Sequence, residues 1–431
     1  MRTLYLLASY LLTPVLLLYL CARGLQDRGY LARWGERLGL HLPAVVPGGI
    51  IVHAVSVGEV NAAAPLISAL LKRFPGQPLT VTCFTTTGSA RIREVFGDGV
   101  QHLYFPLDLP VSARRFFTRL RPRLLIIMET EIWPNAYFEA SRQGIPILLA
   151  NARISDRTFK AYRRLQGLTR PALAQVRRIG AQTRTDAMRF EAIGAEPHQV
   201  EVTGNLKFDL SLPENLREDG RALRLRWGIE RPVFLAGSTR EGDEDPVLAA
   251  FRGLLRSFPD TLLVWAPRHP QRFQRSAQLA RAAGLTVQLH SEGSAIAPAT
   301  QCLVVDAMGQ LLACYAACDV AFVGGSLATT GGHNVLEPAA LSVPVLVGPH
   351  TQNFAEITRQ LIAAGGALRV DDAVQLERAA ARLLGDASLR QQMGAAGRAL
   401  VQKGEGALAR TLQIVFECLD EARRASDHSN S

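Results

Sequence analysis

The residues with the plainest chemical meaning are three acids, two cations and one glycine-rich run. Glu59 follows the apolar stretch Ile50–Val55 and the turn Ser56-Val57-Gly58, at the start of a helical pattern. A carboxylate there lies at the carboxyl end of a strand, where it can take a proton from a hydroxyl; as plainly, it can do no more than complement a helix dipole. Glu129 and Glu131 follow the buried run Leu124–Met128. Two acids so close at a strand end are costly unless they are solvated or bind something. Lys207 sits in Thr203–Asp209, and Arg268 ends the strand-like Leu262–Ala266, where a guanidinium can grip phosphate through two parallel hydrogen bonds. Gly324 to Pro338 reads GGSLATTGGHNVLEP, between the apolar runs Val320–Val323 and Val343–Val347. Glycine admits close approach of backbone to a ligand, and the first amides of a helix favour an anion. Asn334 stands where a cap belongs, and Glu337, in the first turn, complements the helix dipole and could also accept hydrogen bonds from ribose hydroxyls. This spacing suggests a nucleotide-phosphate pocket; an ordinary glycine-rich turn explains the glycines alone equally well.

The elements that must position these groups alternate regularly. Short apolar runs at Gly49–Val55, Leu79–Phe84, Gln101–Phe105, Arg123–Met128, Pro146–Ala150, Arg177–Gln182 and Val200–Val202 are each separated by helical patterns. A second series runs through Pro232–Gly237, Leu262–Ala266, Leu303–Val305, Val320–Val323 and Val343–Val347. Strand, turn and helix in that order predict doubly wound α/β units, whose ligands bind outside the carboxyl ends of the strands. The polar stretch Ser211–Glu218 reads as a linker. We therefore divide the chain into an anchor at 1–22, a first domain at 23–210 and a second at 211–431, with an active site expected in a cleft between the two domains.

Hydrophobic residues make up 48% of the 431, charged residues 20% and aromatic residues 7%, with a net charge of +10. A sizeable core is assured and global disorder excluded. The positive balance favours acidic partners, but no basic tail or interleaved aromatic patch argues for nucleic acid. The six cysteines lack the spacing of a disulfide framework or a zinc site; Cys314 and Cys318 read as small buried residues. From Thr3 to Ala22 no residue is charged, which is about enough to cross a membrane as a helix. Arg23, Arg28, Arg33 and Arg37 follow it, so the positive-inside rule places the remainder in the cytoplasm. Pro14 leaves open a helix that lies in the interface instead.

Taken in order, the motifs resemble those of the 3-deoxy-D-manno-octulosonic acid (Kdo) transferase family. They are SVGE (Ser56–Glu59), METEIWPN (Met128–Asn135), NARISDR (Asn151–Arg157), TGNLKFD (Thr203–Asp209), AGSTREGDE (Ala236–Glu244), APRHP (Ala266–Pro270), GGSL and GGHNVLEP within Gly324–Pro338, and GPHTQNF (Gly348–Phe354). The resemblance implies a GT-B glycosyltransferase fold, CMP-Kdo as donor, the lipid A precursor lipid IVA as acceptor, and no cofactor or metal. It implies that Glu59 is the catalytic base and that Glu129 and Lys207 stabilise charge, with the division of roles between Glu129 and Glu131 open. It also implies CMP contacts from Pro267 and Arg268, from Met308, Gly309 and Gln310, and from Asn334, Val335, Leu336 and Glu337. A GT-B enzyme using a UDP-sugar, and an anchored binding protein, are the alternatives.

Overall fold

Among the described residues, the apolar runs and two further short segments form two parallel sheets of seven strands each. The structure, a computed structural model, describes residues 1–293 and 295–429. In the first unit the strands are β1 (Ile50–His53), β2 (Leu79–Cys83), β3 (Gln101–Tyr104), β4 (Leu124–Met128), β5 (Ile147–Ala152), β6 (Arg178–Ala181) and β7 (Val200–Val202). Their order across the sheet is β3-β2-β1-β4-β5-β6-β7. The chain winds outward from β1 in one direction, then returns to lay β4 on its other side. That reversal makes the β1/β4 junction the switch point, and sheets of this kind bind ligands at the carboxyl edge there.

Side chains alternate across this sheet as strand geometry requires. Ile50 and Val52 join one apolar cluster with the helix Val57–Arg73, while Ile51 faces the other with Phe116, Phe117 and Tyr137. The last helix, Ala407–Ser429, adds Ile414, Val415, Cys418 and Leu419 to the first of these clusters. This corrects the boundary drawn from sequence. The chain divides after Asp209, and it returns to the first unit at Glu405 instead of remaining in the second. The physical reason is the apolar stripe of that helix, which joins the same face of the first sheet beside Ala63, Leu66 and Leu70.

The second unit holds β8 (Val233–Thr239), β9 (Leu262–Pro267), β10 (Val287–Leu289), β11 (Cys302–Val304), β12 (Val320–Val323), β13 (Val345–Val347) and β14 (Ala367–Arg369). Their order is β10-β11-β9-β8-β12-β13-β14, so the switch point lies between β8 and β12. β10 and β14, the two edge strands, have no counterpart in the sequence reading. All six cysteines are free; Cys314 is buried and Cys318 half-buried. The N-terminal helix runs Arg2–Gln26, past the anchor limit of residue 22, and is long and apolar enough to cross a membrane.

Candidate active site

At the β1/β4 switch point the first unit gathers its acids. Glu59 lies in the first turn of the helix Val57–Arg73, directly after β1. Its carboxylate accepts hydrogen bonds from the Val55 amide at 2.8 Å and the Ser56 hydroxyl at 3.2 Å. Burial pushes its pKa up to about 8; the Val55 amide opposes that, while Glu129 and Glu131 add to it. Glu129 follows β4 in a left-handed conformation, with φ of 58°, and is nearly buried. That backbone turn is uncommon for a residue with a side chain, and it lies at the carboxyl edge of the sheet. Arg153 donates to Glu129 at 2.7 Å. Burial also raises Glu131, with Glu129 adding to the rise and a Trp133 hydrogen bond opposing it.

Lys207 reaches the same place through a different route. Asn151, at the end of β5, is fully buried with φ of 53°, and its side-chain oxygen accepts from the Leu206 amide at 3.0 Å. That bond fixes the short turn Leu206–Phe208, which carries Lys207. Burial lowers the Lys207 pKa, Glu129 raises it, Arg153 lowers it and Glu59 raises it. Glu59, Glu129, Glu131, Arg153 and Lys207 thus share one electrostatic neighbourhood. A carboxyl held near 8 beside a cation is suited to exchange a proton near neutral pH. Sequence reasoning gave Arg153 and Asn151 no role. Their signal was present in the motif Asn151–Arg157, but their partners depend on β5 lying beside β4.

In the second unit the carboxyl edge carries the remaining candidates. Pro267 ends β9, and the Arg268 amide donates to Thr239 at 3.0 Å, which seats Arg268 beside the end of β8. Asn334 donates to Glu337 at 3.0 Å and accepts from the Leu336 amide at 3.1 Å. Burial raises Glu337, while Asn334 and Arg268 lower it. Val335 and Leu336 are buried behind these polar groups. Met308 and Gly309 are exposed and Gln310 half-buried in the turn after β11, on the same edge of the sheet. Two further groups join this cluster without having been singled out from sequence. Arg240, after β8, donates to His333 Nε2 at 3.1 Å. Burial, then Arg240, Arg268 and His269, hold the His333 pKa down at about 4, so the imidazole is neutral and free to accept that bond.

Part of the glycine-rich loop is held by a carboxylate of the protein itself. Asp243, fully buried, accepts from the amides of Gly325 at 2.6 Å, Leu327 at 3.1 Å, Ala328 at 2.9 Å and Arg240 at 2.8 Å. A Cβ at Gly324 would stand 2.6 Å from the Ser238 carbonyl oxygen and 2.6 Å from Thr239 Cα, so that glycine serves the packing of β12 against β8. The following helix, Leu336–Ala340, has five residues, too few for a strong dipole. Arg268 and Arg240 bring positive charge to this edge, where both lower the His333 pKa.

A family model described as 3-deoxy-D-manno-octulosonic-acid transferase (kdotransferase) matches residues 32–210. The chain is 40% identical over 432 residues to the 3-deoxy-D-manno-octulosonic acid transferase of Bordetella pertussis, covering 97% of this chain and 99% of that one. It is 38% identical over 410 residues to the protein of the same name from Haemophilus influenzae, covering 94% and 96%. Among solved structures, the UDP-GlcNAc 2-epimerase of Neisseria meningitidis bound to UDP-GlcNAc superposes with a TM-score of 0.53 at 14% identity, over 87% of this chain and 100% of that one. The last likeness concerns the fold alone, two doubly wound units of the GT-B type.

Proposed function

The chain belongs to the Kdo transferase family, and from that premise we propose that it moves Kdo from CMP-Kdo to a hydroxyl of lipid IVA, at the cytoplasmic face of the bacterial inner membrane. The step is an inverting displacement at the anomeric carbon of the donor sugar. The acceptor oxygen forms the new glycosidic bond, its proton passes to Glu59, and the bond from the anomeric carbon to the phosphate oxygen breaks with its electron pair leaving on CMP. Glu129, held by Arg153, and Lys207 balance charge beside Glu59. Arg268 offsets the charge that develops on the departing phosphate, with Asn334, Val335, Leu336 and Glu337 holding the nucleotide from one side and Met308, Gly309 and Gln310 from another. These groups place protein charge where the transition state gains it.

The observation that carries the reading is the Glu59 carboxyl in the first turn after β1, held by the Val55 amide at 2.8 Å with Glu129 and Lys207 in its electrostatic neighbourhood. Its task requires a base matched to working pH. The test is incubation of the purified chain with CMP-Kdo and lipid IVA, read by mass spectrometry of the lipid product. A mass increase of one or more Kdo residues, with CMP released, is expected; an unchanged lipid overturns the reading. Melting curves with CMP and with UDP separate the donor classes, and stronger stabilisation by UDP would overturn a CMP-sugar donor.

A further inference from the structure

We propose that the N-terminal helix does not cross the membrane but lies along the first unit, with one face docked on the protein and the other in an anionic lipid surface. The helix Arg2–Gln26 is about 37 Å long at 1.5 Å per residue. A spanning helix carries its first residue to the far side of the bilayer, yet here both ends rest on the same body. At the start, Tyr5 donates to Asp108 Oδ2 at 2.6 Å, the Arg2 guanidinium lies 4.0 Å over the Phe138 ring, and Met1 packs against Gly167. Toward the end, Leu20 is 1% exposed, and Asp27, which caps the helix, accepts from the Thr86 hydroxyl at 2.5 Å. Asp108 also accepts from the amides of Asn135 and Ala136, at 3.2 and 2.8 Å. The residue that holds Tyr5 therefore also holds the start of the helix that follows Glu129 and Glu131.

The opposite face is a continuous apolar stripe. Leu4, Leu7, Leu11, Val15, Leu18 and Leu25 recur at helical spacing and are each between 60% and 87% exposed. A water-soluble monomer rarely exposes such a patch. Charge on the neighbouring surface selects lipid as the occupant. The helix Asp156–Arg164 buries none of its residues and exposes Arg157, Lys160, Arg163 and Arg164, and it ends three residues before the glycine on which Met1 rests. An amphipathic helix beside clustered cations is the arrangement that binds in the plane of an anionic interface.

The inference deepens the membrane attachment in the reading above, and its test separates the two. The full chain is mixed with vesicles of phosphatidylcholine alone, or with about one third phosphatidylglycerol, and floated. Preferential flotation with the anionic vesicles is expected. Arg163→Gln with Arg164→Gln should lower that partition by roughly 30-fold, taking about a fivefold effect per cation. Thr3→Cys is then made in a Cys21→Ser background and bound to the same vesicles. A membrane-impermeant maleimide added outside, where the globular units lie, should label Cys at position 3 without vesicle lysis. Labelling only after lysis overturns the in-plane pose while leaving attachment intact. Failure to float, with sedimentation as a dimer closed over the apolar stripe, overturns attachment itself.

Discussion

Glu59→Gln separates the catalytic and structural consequences of one half-buried carboxyl. The amide keeps an acceptor for the Val55 N–H and a donor for Ser56, so shape and packing are preserved. The carboxyl it replaces is displaced from 4.5 to about 8, chiefly by burial. Because its folded pKa is raised, the native state holds this proton more tightly than the unfolded chain does. The stability tied to it is complete below the unfolded value and is lost as pH rises through about 8. At 1.36 kcal/mol per pH unit the loss reaches at most about 5 kcal/mol, and relaxation around the charge brings it to roughly 2–5. The Gln variant escapes that loss. Urea unfolding of both proteins from pH 4.5 to 9 should give curves that coincide at the acid end and diverge by ~2–5 kcal/mol at the alkaline end, the variant being the more stable. Transfer activity should move the opposite way, falling at least ~100-fold. In the unaltered protein, kcat/KM should climb about tenfold per pH unit up to about 8, where Glu59 becomes the unprotonated base. Parallel stability curves would refute the raised Glu59 pKa, and full activity in the variant would refute the base.

Further outcomes follow from individual contacts. Arg268→Ala should weaken CMP binding by roughly 10- to 100-fold, the loss of a charge-assisted hydrogen bond to phosphate, measured by calorimetry. Gly324→Ala places a methyl 2.6 Å from the Ser238 carbonyl; it should cost ~1–3 kcal/mol of stability in the absence of any ligand, whereas a glycine kept only for ligand approach would tolerate the change until CMP is added. Asp243→Ala strands four amide donors and should destabilise the second unit by 3 kcal/mol or more on the order of a broken buried network, seen as an earlier unfolding transition.

The larger part of the fold could be read because buried parallel strands appear as short apolar runs between helical patterns. Val320–Val323 and Leu124–Met128 announced themselves in this way. β10 and β14 did not, since Val287–Leu289 and Ala367–Arg369 are three-residue edge strands with too little apolar character to stand out. The last helix showed its apolar stripe, but a stripe says only that a face is buried and not which sheet buries it. Glu59 and Glu129 were recognisable from their place after strands. Arg153 gained its meaning only when β5 was seen beside β4. Asp243 was the least visible, one carboxylate in a run of charges at Arg240–Asp245, because its role rests on loop amides more than 80 residues away.

The chain leaves the first unit at Asp209 and comes back at Glu405. Asp209 joins the two passages, accepting from the amides of Gly406 and Leu408, each at 2.6 Å. A ribosome therefore releases the first unit with part of one face of its sheet, beside the helix Val57–Arg73, still uncovered. Roughly 200 further residues must be made before the closing helix emerges, about 10–40 s at ordinary rates of synthesis. During that interval the inserted unit, continuous in sequence, can fold to completion. The first unit is thus finished after the unit inserted in it, and the nascent chain carries an open apolar patch, a natural place for a chaperone to hold, until the closing helix arrives.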